Sequence, residues 1–110
     1  MKLPPTPFTL TDWASVAPVE YPGSTGTSHW RSVESGELRV RLVEYGPGFL
    51  ADHWCDRGHV LLVLEGVLRV ELRDGTTHEL EAGQSFQVSD YGAPAHRVAT
   101  GTGARVFIVD

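Results

Sequence analysis

The stretch HVLLVLEGVLRVELRDGTTHELEAG, residues 59–83, decides the fold. Within it Leu68, Val70 and Leu72 alternate with charged side chains, and this two-residue period is typical of a strand with one buried face. The Asp-Gly pair in RDGT is a hairpin signal. After this turn Leu80 lies between two glutamates, which we place on a solvated face. The stretch therefore predicts two antiparallel strands joined by a tight turn.

The chain continues this pattern on both sides of the hairpin. In GELRVRLVEYGPG, residues 36–48, apolar and charged side chains alternate again, and FLADHWC, residues 49–55, is predicted as a further strand. We place on the outer face the arginines that alternate with apolar residues: Arg39, Arg41, Arg69 and Arg73. Seven or more short strands, separated by Gly, Asp or Pro, predict an all-β fold, either a sandwich or a barrel.

Length and composition bound the organisation of the chain. With 110 residues, 41% of them hydrophobic, it makes one domain of ordinary globular balance. Residues 1–29 hold five of the seven prolines and are predicted to form an extended N-terminal arm, and residues 30–110 the barrel domain. Because such a barrel has exposed sheet edges, we expect a homodimer, with the arm on its own barrel or on the partner subunit.

Charge and hydropathy exclude several classes of function. The net charge is −5 and no cluster of Lys and Arg forms a basic stripe, so we expect no nucleic-acid partner. No apolar run approaches the roughly 20 residues that span a bilayer, so we expect no membrane partner. The first ten residues lack the apolar region of a secretory signal, and a single cysteine fits a reducing compartment. We therefore expect a cytoplasmic protein.

Histidine and cysteine are concentrated at one point of the chain. His53, Cys55 and His59 fall within seven positions, and the chain has only five histidines and one cysteine. Taken singly, each has an ordinary structural interpretation, as a buried thiol or a hydrogen-bonded imidazole. Of the other histidines, we expect His78 to be solvated after its hairpin turn and His29 to lie in the arm, neither as a ligand.

This region resembles the first motif of the cupin superfamily, G(x)5HxH(x)3–4E(x)6G. His53 and Cys55 match its histidine pair, His59 stands where the family usually has glutamate, and Gly66 closes the motif. GQSFQVSDYGAPAHRV resembles the second motif, which His96 closes after a gap two residues longer than usual. The tetrad at residues 52–55 is also similar to the small bacterial DHCW-motif subgroup of cupin-fold proteins. The resemblance covers about residues 36–110 and, together with the strand count, implies a single-domain antiparallel jelly-roll β-barrel of the cupin kind.

The resemblance also implies a divalent transition metal held by four residues, His53, Cys55, His59 and His96. On a strand, side chains two positions apart share a face, so His53 and Cys55 would point together; a competing register would pair Asp52 with Trp54 instead. Nitrogen and sulfur donors suit zinc best, with iron, nickel or copper as alternatives to it. Cysteine in place of a histidine and histidine in place of glutamate keep one anionic ligand.

Three functions are consistent with such a site. The first is a metal-dependent enzyme acting on a small organic molecule, which requires an open coordination position. The second is a metal or small-molecule binding module, which a closed four-ligand site would favour. The third is a structural dimeric barrel with an inactive pocket. Fold alone does not decide among them.

Overall fold

The computed structural model describes residues 3–110, which form an all-β fold with one short 3-10 helix at Trp13–Ser15. This confirms the predicted fold class. The eight strands are β1 (Val19–Pro22), β2 (Thr27–Ser35), β3 (Leu38–Tyr45), β4 (His59–Leu72), β5 (Thr77–Glu81), β6 (Ser85–Val88), β7 (His96–Ala99) and β8 (Ala104–Val109).

All the strand pairings among the described residues are antiparallel. The strand order is β1-β2-β3-β8-β4-β5, and β6 and β7 also pair with β4. The first half of β4 pairs with β6 and β8, and its second half pairs with β5 and β7. Strand β4 therefore connects two layers that pack face to face. Within residues 3–110 no pairing joins β1 to β5, so hydrogen bonds do not close the barrel.

Strand β4 changes layers at a β-bulge. Its register against β8 shifts between Val63 and Glu65, directly before Gly66. Gly66 has a φ of 78°, and a Cβ there would collide with the carbonyl oxygen of Gly103. Only glycine adopts this conformation and tolerates this approach at low cost, so the EG pair in the sequence marks the bend.

The predicted hairpin is present, and it contributes to the core. Strands β4 and β5 pair as expected, with Leu68 opposite Leu80. Leu68 and Val70 are buried, whereas the glutamates on either side of Leu80 are exposed. The core between the layers is completed by side chains from β3, the first half of β4 and β8: Val43, Leu61, Val63, Val106 and Ile108.

Strand β3 presents the opposite face to the interior from the one predicted. Arg41 is only 6% exposed and lies in register with Ile108, whose side chain belongs to the core. The prediction that Arg39 and Arg41 lie on the outer face is therefore wrong. Leu42 is buried from the other side, because it is in register with Phe107, against which Trp13 packs edge-on at 6.1 Å. With both faces covered, alternation alone does not reveal which one points inward.

The segment between β3 and β4 is a loop, and the prediction of a continuous strand over FLADHWC is wrong. Within it only Leu50 and Cys55 make isolated bridges, to Ala99 and His96 respectively, and Leu50 also to Thr25. A loop has no fixed two-residue alternation, which removes the basis for placing residues 53 and 55 on one face.

The N-terminal residues add to the same sheet. Strand β1 lies within the predicted arm and pairs with β2, and the predicted boundary at residue 30 falls inside β2. Arg31 donates from Nε to the carbonyl oxygen of Val16, which holds the segment before β1 against the sheet. No helix in the described part of the chain is long and apolar enough to cross a membrane.

Candidate metal centre

Three of the four predicted ligands converge at one end of the barrel interior. His59 begins β4, His96 begins β7, and Cys55 lies in the preceding loop. Cys55 and His96 exchange two backbone hydrogen bonds of 2.7 and 2.8 Å, which place a loop residue directly beside a strand 41 positions later. The Cys55 Sγ and one ring nitrogen of each histidine lie within 4.8 Å of one another.

The two histidines of this group are in direct contact. The Nε2 atoms of His59 and His96 are 2.8 Å apart, and their rings meet edge to face with centroids 4.7 Å apart. Phe86 packs edge-on against both rings. Burial, and then the neighbouring His59, lower the pKa of His96 to about 4. Its imidazole is therefore neutral at pH 7 and keeps one nitrogen lone pair for a ligand or a hydrogen bond.

The group fits a tetrahedral transition metal. Around zinc, with bonds of about 2.0–2.1 Å to nitrogen and 2.3 Å to sulfur, neighbouring ligand atoms are about 3.3–3.6 Å apart. The histidine nitrogens, 2.8 Å apart, are closer than this, and the separations within the group reach up to 4.8 Å, which is longer than this. Small side-chain movements would bring all three atoms to bonding distance. Two imidazoles and a thiol are the donors that zinc, iron, nickel and copper prefer over hard oxygen ligands.

His53 is not part of this group. Its side chain is 76% exposed, and its Nδ1 lies 2.7 Å from Asp52 Oδ1. It does line the same cavity as the three converging side chains. The remaining histidines, His29 and His78, are both exposed and lie outside the group, as expected.

A carboxylate lies behind His59. The Nδ1 of His59 is 3.8 Å from Oδ2 of Asp110, and it has no hydrogen-bond partner among the described residues. Metal-binding histidines commonly have a carboxylate on their second nitrogen, which fixes the ring and makes it a better ligand. A short rotation of either side chain would complete this arrangement, so the surroundings of His59 also fit a metal ligand.

Asp110 is held as a carboxylate by two arginines. Arg39 donates to both of its oxygens, at 3.2 and 3.0 Å, and Arg41 donates to Oδ2 at 3.1 Å. Burial raises the pKa of Asp110, but His59 and the two arginines outweigh burial, so its pKa lies well below the ordinary value. Because the His59 nitrogen is too distant for a good hydrogen bond, we attribute most of this effect to the arginines.

These arginines and Asp110 were not predicted as site residues. Their signal in the sequence is that the odd-numbered positions of β3 continue from Arg39 and Arg41 into the apolar Val43 and Tyr45. A face that ends in buried apolar residues indicates that the arginines before them also point inward. The aspartate follows the apolar strand β8 directly, opposite Arg39, with which it exchanges two backbone hydrogen bonds.

A cavity of about 340 Å³ adjoins the group. Such a volume suits a small organic ligand. The titratable and metal-binding side chains of its wall are Arg39, Arg41, Asp52, His53, Cys55, Arg57, His59, His96, Arg97 and Asp110. Its apolar wall is formed by Tyr45, Phe49, Ala51, Leu61, Val98 and Ile108. The three converging side chains therefore lie on the surface of a space that a small molecule can enter.

The similarities of the chain to known proteins are structural. No family model and no curated protein matches its sequence. Among solved structures, an RmlC-like cupin from Shewanella frigidimarina superposes with a TM-score of 0.73 at 20% identity, over 94% of this chain and 89% of that one. A predicted oxalate decarboxylase from Thermotoga maritima gives a TM-score of 0.73 at 13% identity, over 92% and 96%. The polyketide cyclase RemF from Streptomyces resistomycificus gives 0.72 at 21% identity, over 93% and 78%.

These identities are too low to carry an activity from one protein to another, but the superpositions cover nearly the whole chain. They show that its strands follow the cupin fold.

Proposed function

We propose that this cupin-fold protein binds a divalent transition metal through Cys55, His59 and His96 and acts on a small organic molecule in the adjoining cavity. The observation that carries the proposal is the convergence of three ligand atoms within 4.8 Å at the wall of that cavity. Zinc is the metal that a thiolate and two neutral imidazoles suit best, with iron, nickel and copper as alternatives.

A three-residue ligand set favours an enzyme over a purely structural site. Structural zinc sites have four protein ligands, whereas catalytic ones keep one position open for water or substrate. When bound, the metal would supply Lewis-acid polarisation of a substrate oxygen. The chain's own residues would hold that metal, keep His96 neutral and enclose the ligand between apolar walls. Two of the structural neighbours carry the names of enzymes acting on small molecules, which supports this choice.

A second candidate is a binding module with a closed four-ligand site. The observation that favours it is that His53 lines the same cavity, two positions from Cys55. If His53 left Asp52 and turned toward the metal, it would occupy the position that a substrate needs. The two candidates therefore differ in the number of protein ligands.

The metal content of the purified protein tests the proposal. The wild type, Cys55→Ser and His59→Ala would be purified without added metal and measured by inductively coupled plasma mass spectrometry, with His78→Ala as the matched control. We expect about one metal ion per chain in the wild type and the control, and a large loss in the other two, because each removes one direct bond. Equal metal content in all four proteins would contradict the proposal.

A further inference from the structure

The cavity is more cationic than the protein that surrounds it. Four arginines and two aspartates lie among the described residues of its wall, in a chain whose net charge is −5. Two of these arginines have carboxylate partners outside the wall, since Arg97 bonds Glu71 at 2.8 Å and Arg57 lies 3.6 Å from Asp90. The other two, Arg39 and Arg41, share the single carboxylate of Asp110. The shared carboxylate leaves one positive charge without a matching negative one.

Arg41 is the buried member of this pair. Its side chain is 7% exposed, against 39% for Arg39. The guanidinium stacks over the Trp30 ring at 4.4 Å from the centroid, which fixes its plane. Although burial lowers its pKa, a guanidinium stays protonated. Arg41 thus presents a fixed, desolvated cation to the cavity.

Arg41 also has an unused donor. Its Nε has no hydrogen-bond partner within residues 3–110 but is inaccessible to solvent, so a ligand in the cavity would meet the terminal nitrogens, one of which already donates to Asp110. Arginine meets carboxylates through two parallel N–H groups, a geometry that a lysine does not offer.

We propose that Arg41 binds the carboxylate of a small organic acid inside the cavity, with the acid's apolar body against Leu61, Val98 and Ile108. This assignment names the substrate class of the proposed function. It rests on that proposal for the role of the metal. The Asp110 carboxylate lies 3.1 Å from the Arg41 guanidinium and 3.8 Å from Nδ1 of His59. An acid anchored on Arg41 would therefore lie beside the proposed metal ligands.

The test compares an acid with its uncharged isostere. The affinities of 4-methylpentanoate and 4-methylpentanamide would be measured by calorimetry on the zinc-loaded wild type, Arg41→Met and the control Arg69→Met, which removes an exposed arginine from the outer face. We expect the wild type and the control to prefer the acid by at least about tenfold, as for a charge-assisted hydrogen bond. Arg41→Met should lose this preference at unchanged zinc content. Arg41→Lys should retain only part of the preference for the acid, because lysine lacks the two parallel N–H groups of a guanidinium.

The other outcomes distinguish a failure of this inference from a failure of the proposed function. If the wild type fails to bind the acid or does not prefer it to the amide, Arg41 is not a carboxylate site, and this readout needs no variant to fold. If Arg41→Met keeps the preference, the acid is bound by the metal instead, which leaves the proposed function intact. Inorganic phosphate that displaces the acid with higher affinity would rule out the carboxylate class. A wild type that takes up no zinc when it is added but still prefers the acid would refute the proposed function alone.

Discussion

The Nε2 atoms of His59 and His96 lie 2.8 Å apart, although 37 positions separate the two residues in the chain. The contact arises because β4 begins at His59, β7 begins at His96, and the loop cysteine pairs with the backbone of His96. Two imidazoles this close, beside a thiol and facing a cavity, form a group that could hold a metal ion. The predictions below separate the roles of the residues around it.

His53→Ala should change metal affinity by less than about threefold. Its ring is exposed and contacts Asp52 rather than the three converging side chains, so its removal deletes no direct bond. Competition with a chromogenic chelator would measure the affinity. A loss comparable with that of His59→Ala would instead support the closed site, in which His53 is the fourth ligand.

Cys55 should be protected from thiol reagents by the metal. A bound metal takes the thiolate as a ligand and blocks its attack on a disulfide reagent. The rate of reaction with dithionitrobenzoate should therefore rise at least about tenfold when a chelator removes the metal from the folded protein. Zinc added back should restore the protection. Equal rates before and after chelation, with metal loss verified, would show that Cys55 is not a ligand.

Asp110→Asn should destabilise the fold strongly. It removes the charge partner of the buried Arg41, and breaking a buried ion pair from one side costs on the order of 3 kcal/mol. Urea unfolding at pH 7 would measure the loss. Glu65→Gln is the matched control, because Glu65 pairs with Arg105 at an exposed site where a pair contributes about 0.2–1 kcal/mol. Equal effects of the two substitutions would contradict the account.

The free energy of unfolding should fall at acidic pH because of the same carboxylate. The pKa of Asp110 is lowered by folding, so its contribution is fully present above its ordinary pKa of 3.8 and is lost as pH falls toward the folded value. The wild type should therefore lose stability below about pH 4 more steeply than Asp110→Asn, in urea titrations at a series of pH values. Parallel pH profiles for the two proteins would be inconsistent with this linkage.

The free energy of unfolding should fall at alkaline pH because Tyr45 is buried. Burial raises its pKa to about 12 from 10.0, so the folded state holds the proton more tightly than the unfolded state. The contribution of Tyr45 to stability is then constant below pH 10 and falls between pH 10 and 12, by about 3 kcal/mol for the full shift. Tyr45→Phe should remove this part of the alkaline loss in urea unfolding. If Tyr45→Phe shows the full wild-type decline, the phenol is not the titrating group.

The expected homodimer stays a prediction, and exposed apolar residues in the N-terminal segment support it. Phe8 is 92% exposed and Leu10 is 84% exposed, in a segment where most residues are exposed. Light scattering at micromolar concentration should give twice the mass of one chain, and Phe8→Ser with Leu10→Ser should shift the equilibrium toward the monomer. A monomeric wild type would contradict the expectation.

The sequence predicts the hairpin of β4 and β5 well and the faces of β3 badly, for one physical reason. Leu80 has a solvated opposite side, so alternation between apolar and charged residues marks its buried face directly. Leu42 and Arg41 are both buried, since Trp13 and Phe107 cover one side of β3 and the cavity lies on the other. A period of two then says that a strand is present but not which face points inward.

Residue type and the positions where strands begin predict part of the candidate site. His59 and His96 both open strands, and the family resemblance points to them and to Cys55 without any structure. The resemblance also points to His53, and the expectation that it shares a face with Cys55 assumed a strand, which the loop conformation of residues 46–58 removes. The arginine pair with Asp110 depends on contacts between residues about 70 positions apart, which no local pattern contains.

Zinc K-edge X-ray absorption of the zinc-loaded wild type is the measurement that most directly tests a metal held by Cys55, His59 and His96. We predict one sulfur at about 2.3 Å and two imidazole nitrogens at about 2.0–2.1 Å, with a light atom from water in the fourth position. The sulfur shell should disappear in Cys55→Ser. A first shell of nitrogen and oxygen alone in the wild type, without sulfur, would contradict the account.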